Sequence, residues 1–229
     1  MKQLTIEGIT TDIERKRIKN MYLKVLPPDG QVRVSAPMRM PEQEIISFIQ
    51  SKAQWISEQQ EKLKNRHLQE NIDYLAGDTV YLWGRPYTLR VEATETKGYA
   101  YPQGNKLVLK ARSSCTAGQR LDIMNRYYRE VLTEQLPGLI VRWERVIGVK
   151  SEGFSIRDMK TRWGTCNIRT KKICLNLQLA KKPPKCLEYV VVHELVHLLE
   201  GSHNRVFKNY MDHFLPNWRM VKKELNGAE

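Results

Sequence analysis

The chain has 229 residues, of which 41% are hydrophobic and 28% charged, a balance that excludes wholesale disorder. Its 38 Lys and Arg against 25 Asp and Glu leave a net charge of +13. No apolar run approaches the roughly 20 residues of a membrane helix, and Met1–Gly8 has no apolar segment of a secretory signal. A cytoplasmic protein without a membrane span is therefore expected. Cys115, Cys166, Cys174 and Cys186 match no CxxC spacing and read as free packing thiols.

In chain order, the first forty residues alternate like strands. Met21–Leu26 and Gln31–Ala36 flank Pro27-Pro28-Asp29-Gly30, a hairpin loop. Pro41 opens a helix with Glu42 and Glu44 in its first turn. Ile45, Ile46, Phe48, Ile49, Ala53 and Ile56 recur near helical spacing, and the helix is predicted to run to about Lys64. Thr79–Trp83 and Tyr87–Val91 read as strands around Gly84-Arg85-Pro86, and Tyr99–Tyr101 and Lys106–Lys110 as a second pair. A long amphipathic helix from Thr116 is expected to break at Pro137-Gly138.

Phe154–Arg157 and Ile173–Leu177 are short strands around Arg162-Trp163-Gly164-Thr165-Cys166. Pro183-Pro184 starts a helix expected to stop near Gly201, and helices near Arg205–Phe214 and Trp218–Leu225 follow. The fold class expected is α+β, with an antiparallel β-rich half (1–114) and a helical half (115–229), softly divided.

Ten of the basic residues fall between Lys150 and Val190 against three acids, so this stretch carries +7. Such a zone attracts polyanions, making nucleic acid or nucleotide a candidate partner through residues 150–185; a solvated surface is the plainer reading.

The chemistry sits in His193-Glu194-Leu195-Val196-His197, an HExxH pattern. Residues four apart share a helix face, so His193 and His197 can reach one ion. Glu194 is rotated about 100° from His193, placing it to flank the water and not to ligate. A catalytic zinc takes three protein ligands. Glu200 lies about 10 Å along the axis from His193, too far for a straight helix to supply all three. The chain must turn back, Gly201 offers the place, and His203 follows. His193, His197 and His203 are the expected triad, with His213 and then Asp212 as alternatives and His67 as a surface residue. Two core histidines around a buried, unpaired carboxylate would be costly, by several kcal/mol. Zinc held by neutral imidazoles lowers the pKa of bound water to roughly 7, and Glu194 would accept its proton. That is metal-assisted hydrolysis, of amide, ester or phosphoanhydride.

The stretch from Arg162 to Trp218 resembles the YgjP-like metallopeptidase family. The resemblance rests on Arg162–Cys166, Leu175-Asn176, Tyr189–His197, His203-Asn204, Phe207 and Leu215–Trp218, joined by Val32–Pro37 and Trp55-Ile56. It implies a zincin-like fold, His193, His197 and His203 as zinc ligands, and Glu194 as general base. It also implies a looser kinship with Wss1-like and SprT-like proteases, which act on proteins crosslinked to DNA. Thr165 stands where the family commonly has Ser, and both carry a hydroxyl. Glu200 stands where metzincins have Gly, a departure from that group.

Trp163-Gly164 is a candidate substrate edge or a tight turn. Arg162, Arg205 and Tyr210 are candidate oxyanion stabilisers. The leading function is a zinc metallopeptidase acting on protein or peptide. The alternatives are a metal-dependent nucleotide phosphohydrolase and a nucleic-acid-associated protein with a structural metal. No GxxxxGK[ST] loop supports the former, and structural zinc favours Cys-rich, four-coordinate sites.

Overall fold

The computed structural model describes residues 2–26, 30–70 and 73–227, with backbone alone for 62–70. Pro27–Asp29 of the expected hairpin loop and the His67 side chain thus lie outside the described residues. The chain forms two compact units, Met1–Ile72 and Asp73–Glu229.

In the first unit, β1 (Lys2–Ile6), β2 (Ile9–Lys16), β3 (Tyr22–Leu26) and β4 (Gln31–Pro37) form one sheet in the order β1-β2-β4-β3. Alternation along β4 buries Val32, Val34 and Ala36 against Ile45, Ile49 and Ile56 of the following helices. Gly30, at φ +72°, donates to the Leu26 carbonyl (3.0 Å) and enters β4 in a conformation few other residues adopt. The expected single helix is two, α1 (Glu42–Ser51) and α2 (Ala53–Glu70). They part at Lys52, whose N–H donates to the carbonyls of Gln50 and Ile49, away from the i−4 pattern.

The second unit begins with β5 (Thr79–Leu82), β6 (Arg85–Ala93), β7 (Tyr99–Gln103) and β8 (Lys106–Ala111), in the order β5-β6-β8-β7. Both four-stranded sheets contain one parallel pair, β2 with β4 and β6 with β8, which the antiparallel expectation did not include. The β5–β6 turn is Trp83-Gly84, both at positive φ, and their N–H groups reach the Ala180 and Lys181 carbonyls (2.8 and 3.2 Å). Pro86 therefore lies inside β6, opposite Tyr81 and before the pairing with β8 begins at Thr88, so its missing N–H costs no ladder bond.

The helix α3 (Ala117–Ile147) runs unbroken through Pro137, against the expected interruption. Thr116 and Gln119 form a reciprocal capping box, and Gly148 closes the other end at φ +77°. Leu132, Leu136, Ile140 and Trp143 are buried on both sides of the proline. Each such side chain contributes about 1.5–3 kcal/mol on burial, and together they outweigh the roughly 3 kcal/mol penalty of an interior proline.

Three short strands follow: β9 (Phe154–Arg157), β10 (Gly164–Asn167) and β11 (Lys172–Asn176), in the order β10-β11-β9. A 3₁₀ turn (Leu177–Lys181) leads to α4 (Pro184–Val196), α5 (Arg205–Phe214) and α6 (Trp218–Leu225). Leu187, Val190, Val191, Val192, Leu195 and Val196 of α4 are all buried, so apolar residues surround the axis and the helix lies at the centre of its unit. The expected 114/115 division falls between β8 and α3, inside this unit, because α3 packs on β7 and β8. The four cysteines are free. No described helix is long and apolar enough to cross a membrane.

Candidate metal centre

The helix α4 ends at Val196, short of the expected Gly201, with His193 in its last turn and His197 at its C-cap. Beyond it the N–H groups of Leu198 and Leu199 bond three residues back, to Leu195 and Val196, tightening the chain as it leaves the helix. Glu200 Oε1 then accepts the Ser202 N–H (2.9 Å), and the Ser202 carbonyl accepts from Asn204 (2.8 Å). Asn204 caps α5 by accepting the Phe207 N–H (3.0 Å). His203 is thereby carried back beside the end of α4.

One ring nitrogen from each of His193, His197 and His203 lies within 4.8 Å of the other two, and Nε2 of His193 and of His203 stand 2.8 Å apart. Two neutral imidazoles facing at that distance share at most one proton. A cation taking a lone pair from each ring relieves the facing nitrogens, so the donor set fits a divalent metal, while the buried His193 Nδ1 has no hydrogen-bond partner among the described residues. Burial lowers the pKa of each ring, that of His193 to about 3 with help from its two neighbours and Lys222. Each shift favours the neutral ring, the form that metal ligation requires. His197 Nδ1 is 3.1 Å from the Glu200 carbonyl, which only accepts. That fixes the proton on Nδ1 and leaves the Nε2 lone pair for a metal.

Phe207 floors the cluster: its ring centroid lies 4.9, 4.7 and 4.8 Å from those of His193, His197 and His203. Tyr189 meets His193 edge-on at 5.7 Å and stacks on Trp218 at 6.4 Å. Neither aromatic was assigned a role from sequence, although Tyr189 precedes His193 by four residues and so shares its face.

Glu194 is only 4% exposed, and burial pushes its carboxyl up to about 8, opposed by the Arg162 cation. A carboxyl raised in the folded state leaves stability intact below the unfolded pKa and removes it as pH rises toward the folded value. Metal-free protein is therefore expected to lose stability between about pH 4.5 and pH 8 through this residue. Glu194→Gln should raise the melting temperature of metal-free protein at pH 8 and leave it unchanged at pH 4.5. Equal effects at both pH values in calorimetry would show that Glu194 ionises freely.

The segment before β10 is held from behind by Asn176, 2% exposed. Its Nδ2 donates to the Met159 and Arg162 carbonyls (both 2.7 Å), and its N–H to the Trp163 carbonyl (2.9 Å). The Arg162 side chain is exposed; Trp163 is half-buried, donating to Asn226 Oδ1 (3.1 Å) with Lys182 over its ring. Gly164 opens β10 facing Glu194. Arg205 is exposed at the start of α5, and half-buried Tyr210 stacks on Phe214. The alternative ligands lie elsewhere: His213 packs on Phe214, and Asp212 accepts from Trp218 Nε1 (2.8 Å) and Arg219. Of the basic zone, Lys150 pairs with Glu144 and Lys185 with Glu224, while Lys181 lies over Tyr128.

A mixed α+β chain with such a histidine cluster has the donor set of a metal-binding protein. The profile of the YgjP-like metallopeptidase domain matches residues 19–228, and the chain belongs to that family. Two solved structures are similar over part of the chain. The abylysin metallopeptidase zymogen of Pyrococcus abyssi is 17% identical, covering 39% of this chain and 90% of that one, with a TM-score of 0.37. The jannalysin metallopeptidase zymogen of Methanocaldococcus jannaschii is 19% identical, covering 39% and 91%, with a TM-score of 0.35. No curated protein matches.

Proposed function

We propose that the chain is a zinc peptidase with a zincin-like catalytic half, in which His193, His197 and His203 hold the metal and Glu194 handles the proton. The observation that carries this reading is the convergence of three imidazoles, one of them next in the chain to a buried carboxyl. Zinc bound there supplies Lewis-acid polarisation of the scissile carbonyl and activation of a water.

The remaining work falls to the chain itself. Glu194 accepts a proton at a carboxylate oxygen and returns it to the leaving amine. Its carboxyl, lifted by burial toward neutral pH, is matched to both transfers. His197, fixed by the Glu200 carbonyl, holds its ring and tautomer through the cycle. The strand β10 pairs only with β11 among the described strands, so its other edge offers N–H and C=O groups to an extended peptide. Trp163 and Gly164 stand at the head of that edge, and Arg162, Arg205 and Tyr210 are the candidates for the oxyanion.

Three nitrogen ligands and no carboxylate favour zinc over the oxygen-liganded magnesium of nucleotide chemistry. Among the described residues no fourth ligand joins them, so a tetrahedral zinc held there would keep a position for water, unlike a structural site. Zinc-loaded protein is expected to cleave fluorogenic casein, to lose that activity on chelation and to regain it with one equivalent of zinc. Phosphate release from nucleoside triphosphates with casein left intact would overturn the peptidase reading in favour of the phosphohydrolase. Salt-sensitive binding of single-stranded DNA without either activity would support the structural-metal alternative.

A further inference from the structure

Gly164 is in contact with the one carboxyl the chemistry needs. A methyl group added at its Cα would lie 2.5 Å from Glu194 Oε1, 2.8 Å from Glu194 Cγ and 2.8 Å from Val190 Cγ1. Its φ is not in the left-handed region, so no turn requires glycine here. The residue is the first of β10, paired with Leu175 of β11. What requires glycine is space.

The contact is rigid on both sides. Glu194 is on the buried face of α4, and its Cγ, close to the helix backbone, has little freedom to retreat. On the other side, Asn176 ties the carbonyls of Met159, Arg162 and Trp163, so the strand entry has little freedom to lift away. Swinging the carboxylate end alone would relieve the Oε1 overlap but neither the Cγ nor the Val190 overlap.

We propose that Gly164 is a positioning residue: its bare Cα is the seat that sets the Glu194 side-chain conformation, and thereby where the proton is accepted. The inference rests on the reading of Glu194 as the base. It assigns Gly164 a role distinct from a substrate edge or a turn. A displacement near 1 Å at a catalytic group costs up to about 100-fold in rate.

The test is Gly164→Ala with zinc loaded, followed by a crystal structure, zinc analysis and kinetics on fluorogenic casein. Expected are zinc near one per chain, a Glu194 carboxylate displaced by about 1 Å, kcat lowered about 10- to 100-fold and KM within about twofold. Glu194 unmoved, with β10 shifted away instead, would overturn the proposal, as would kcat within about threefold of wild type. The double variant Gly164→Ala/Val190→Ala separates crowding from positioning, since it removes the Val190 overlap and keeps that with Glu194. A melting temperature that recovers without kcat supports positioning; recovery of both refutes it. Should the wild type itself cleave nothing, the crystal structure still decides whether Gly164 seats Glu194, and the peptidase reading is what falls.

Discussion

Glu194→Gln is expected to lower kcat on casein by about 10²- to 10⁴-fold while zinc stays near one per chain and KM is little changed. Glutamine matches glutamate in shape, so it fits the same space against Gly164 and Val190. It accepts no proton at neutral pH, and only that function is lost. Because Glu194 is outside the three-histidine cluster, metal binding should survive. Casein cleavage in the variant within about tenfold of wild type would remove Glu194 as the base. Loss of zinc together with activity would instead place the carboxylate among the ligands.

His203→Ala should sharply lower metal content. It removes one of three nitrogens and leaves His193 and His197 without the group that closes the site. Zinc affinity should fall by well over the roughly 10- to 100-fold typical of losing a mere supporting hydrogen bond. His203 is exposed and in the turn before α5, so the fold should persist and the melting temperature of metal-free protein should change little. His213→Ala and Asp212→Ala are the controls, and both should retain full zinc, since those side chains are engaged with Phe214, Trp218 and Arg219. Elemental analysis of the variants side by side decides the point. Full zinc in His203→Ala with loss in His213→Ala would transfer the third ligand to α5.

Much of this chain was legible before any coordinates. The ends of α5 and α6 coincide with the expected Arg205–Phe214 and Trp218–Leu225, because each has a strong apolar stripe and Asn204 caps the first. The meeting of His193, His197 and His203 in space was legible too, from an argument of reach: helical rise forbids Glu200 and a turn permits His203. The four-residue spacing of His193 and His197 is a property of any helix and needs no tertiary knowledge.

Other features depended on neighbours distant in sequence. The parallel pairs β2–β4 and β6–β8 join strands separated by a whole hairpin strand, and no local pattern encodes such partners. The persistence of α3 through Pro137 reflects burial on both sides of it, which overrides the local preference to break. At Gly164 the sequence left a turn and a substrate edge open; the tertiary structure supplies a third reason, the packing of β10 on Glu194. Phe207 and Asn176 gained their roles in the same way, one beneath three rings and the other behind three carbonyls. By itself the sequence determined which side chains are candidates for the chemistry proposed here, since residue type, spacing and helical pitch are local. The tertiary structure alone decided how those side chains are held, because the burial of Glu194 and its packing beside Gly164 arise only where separate elements close on one another.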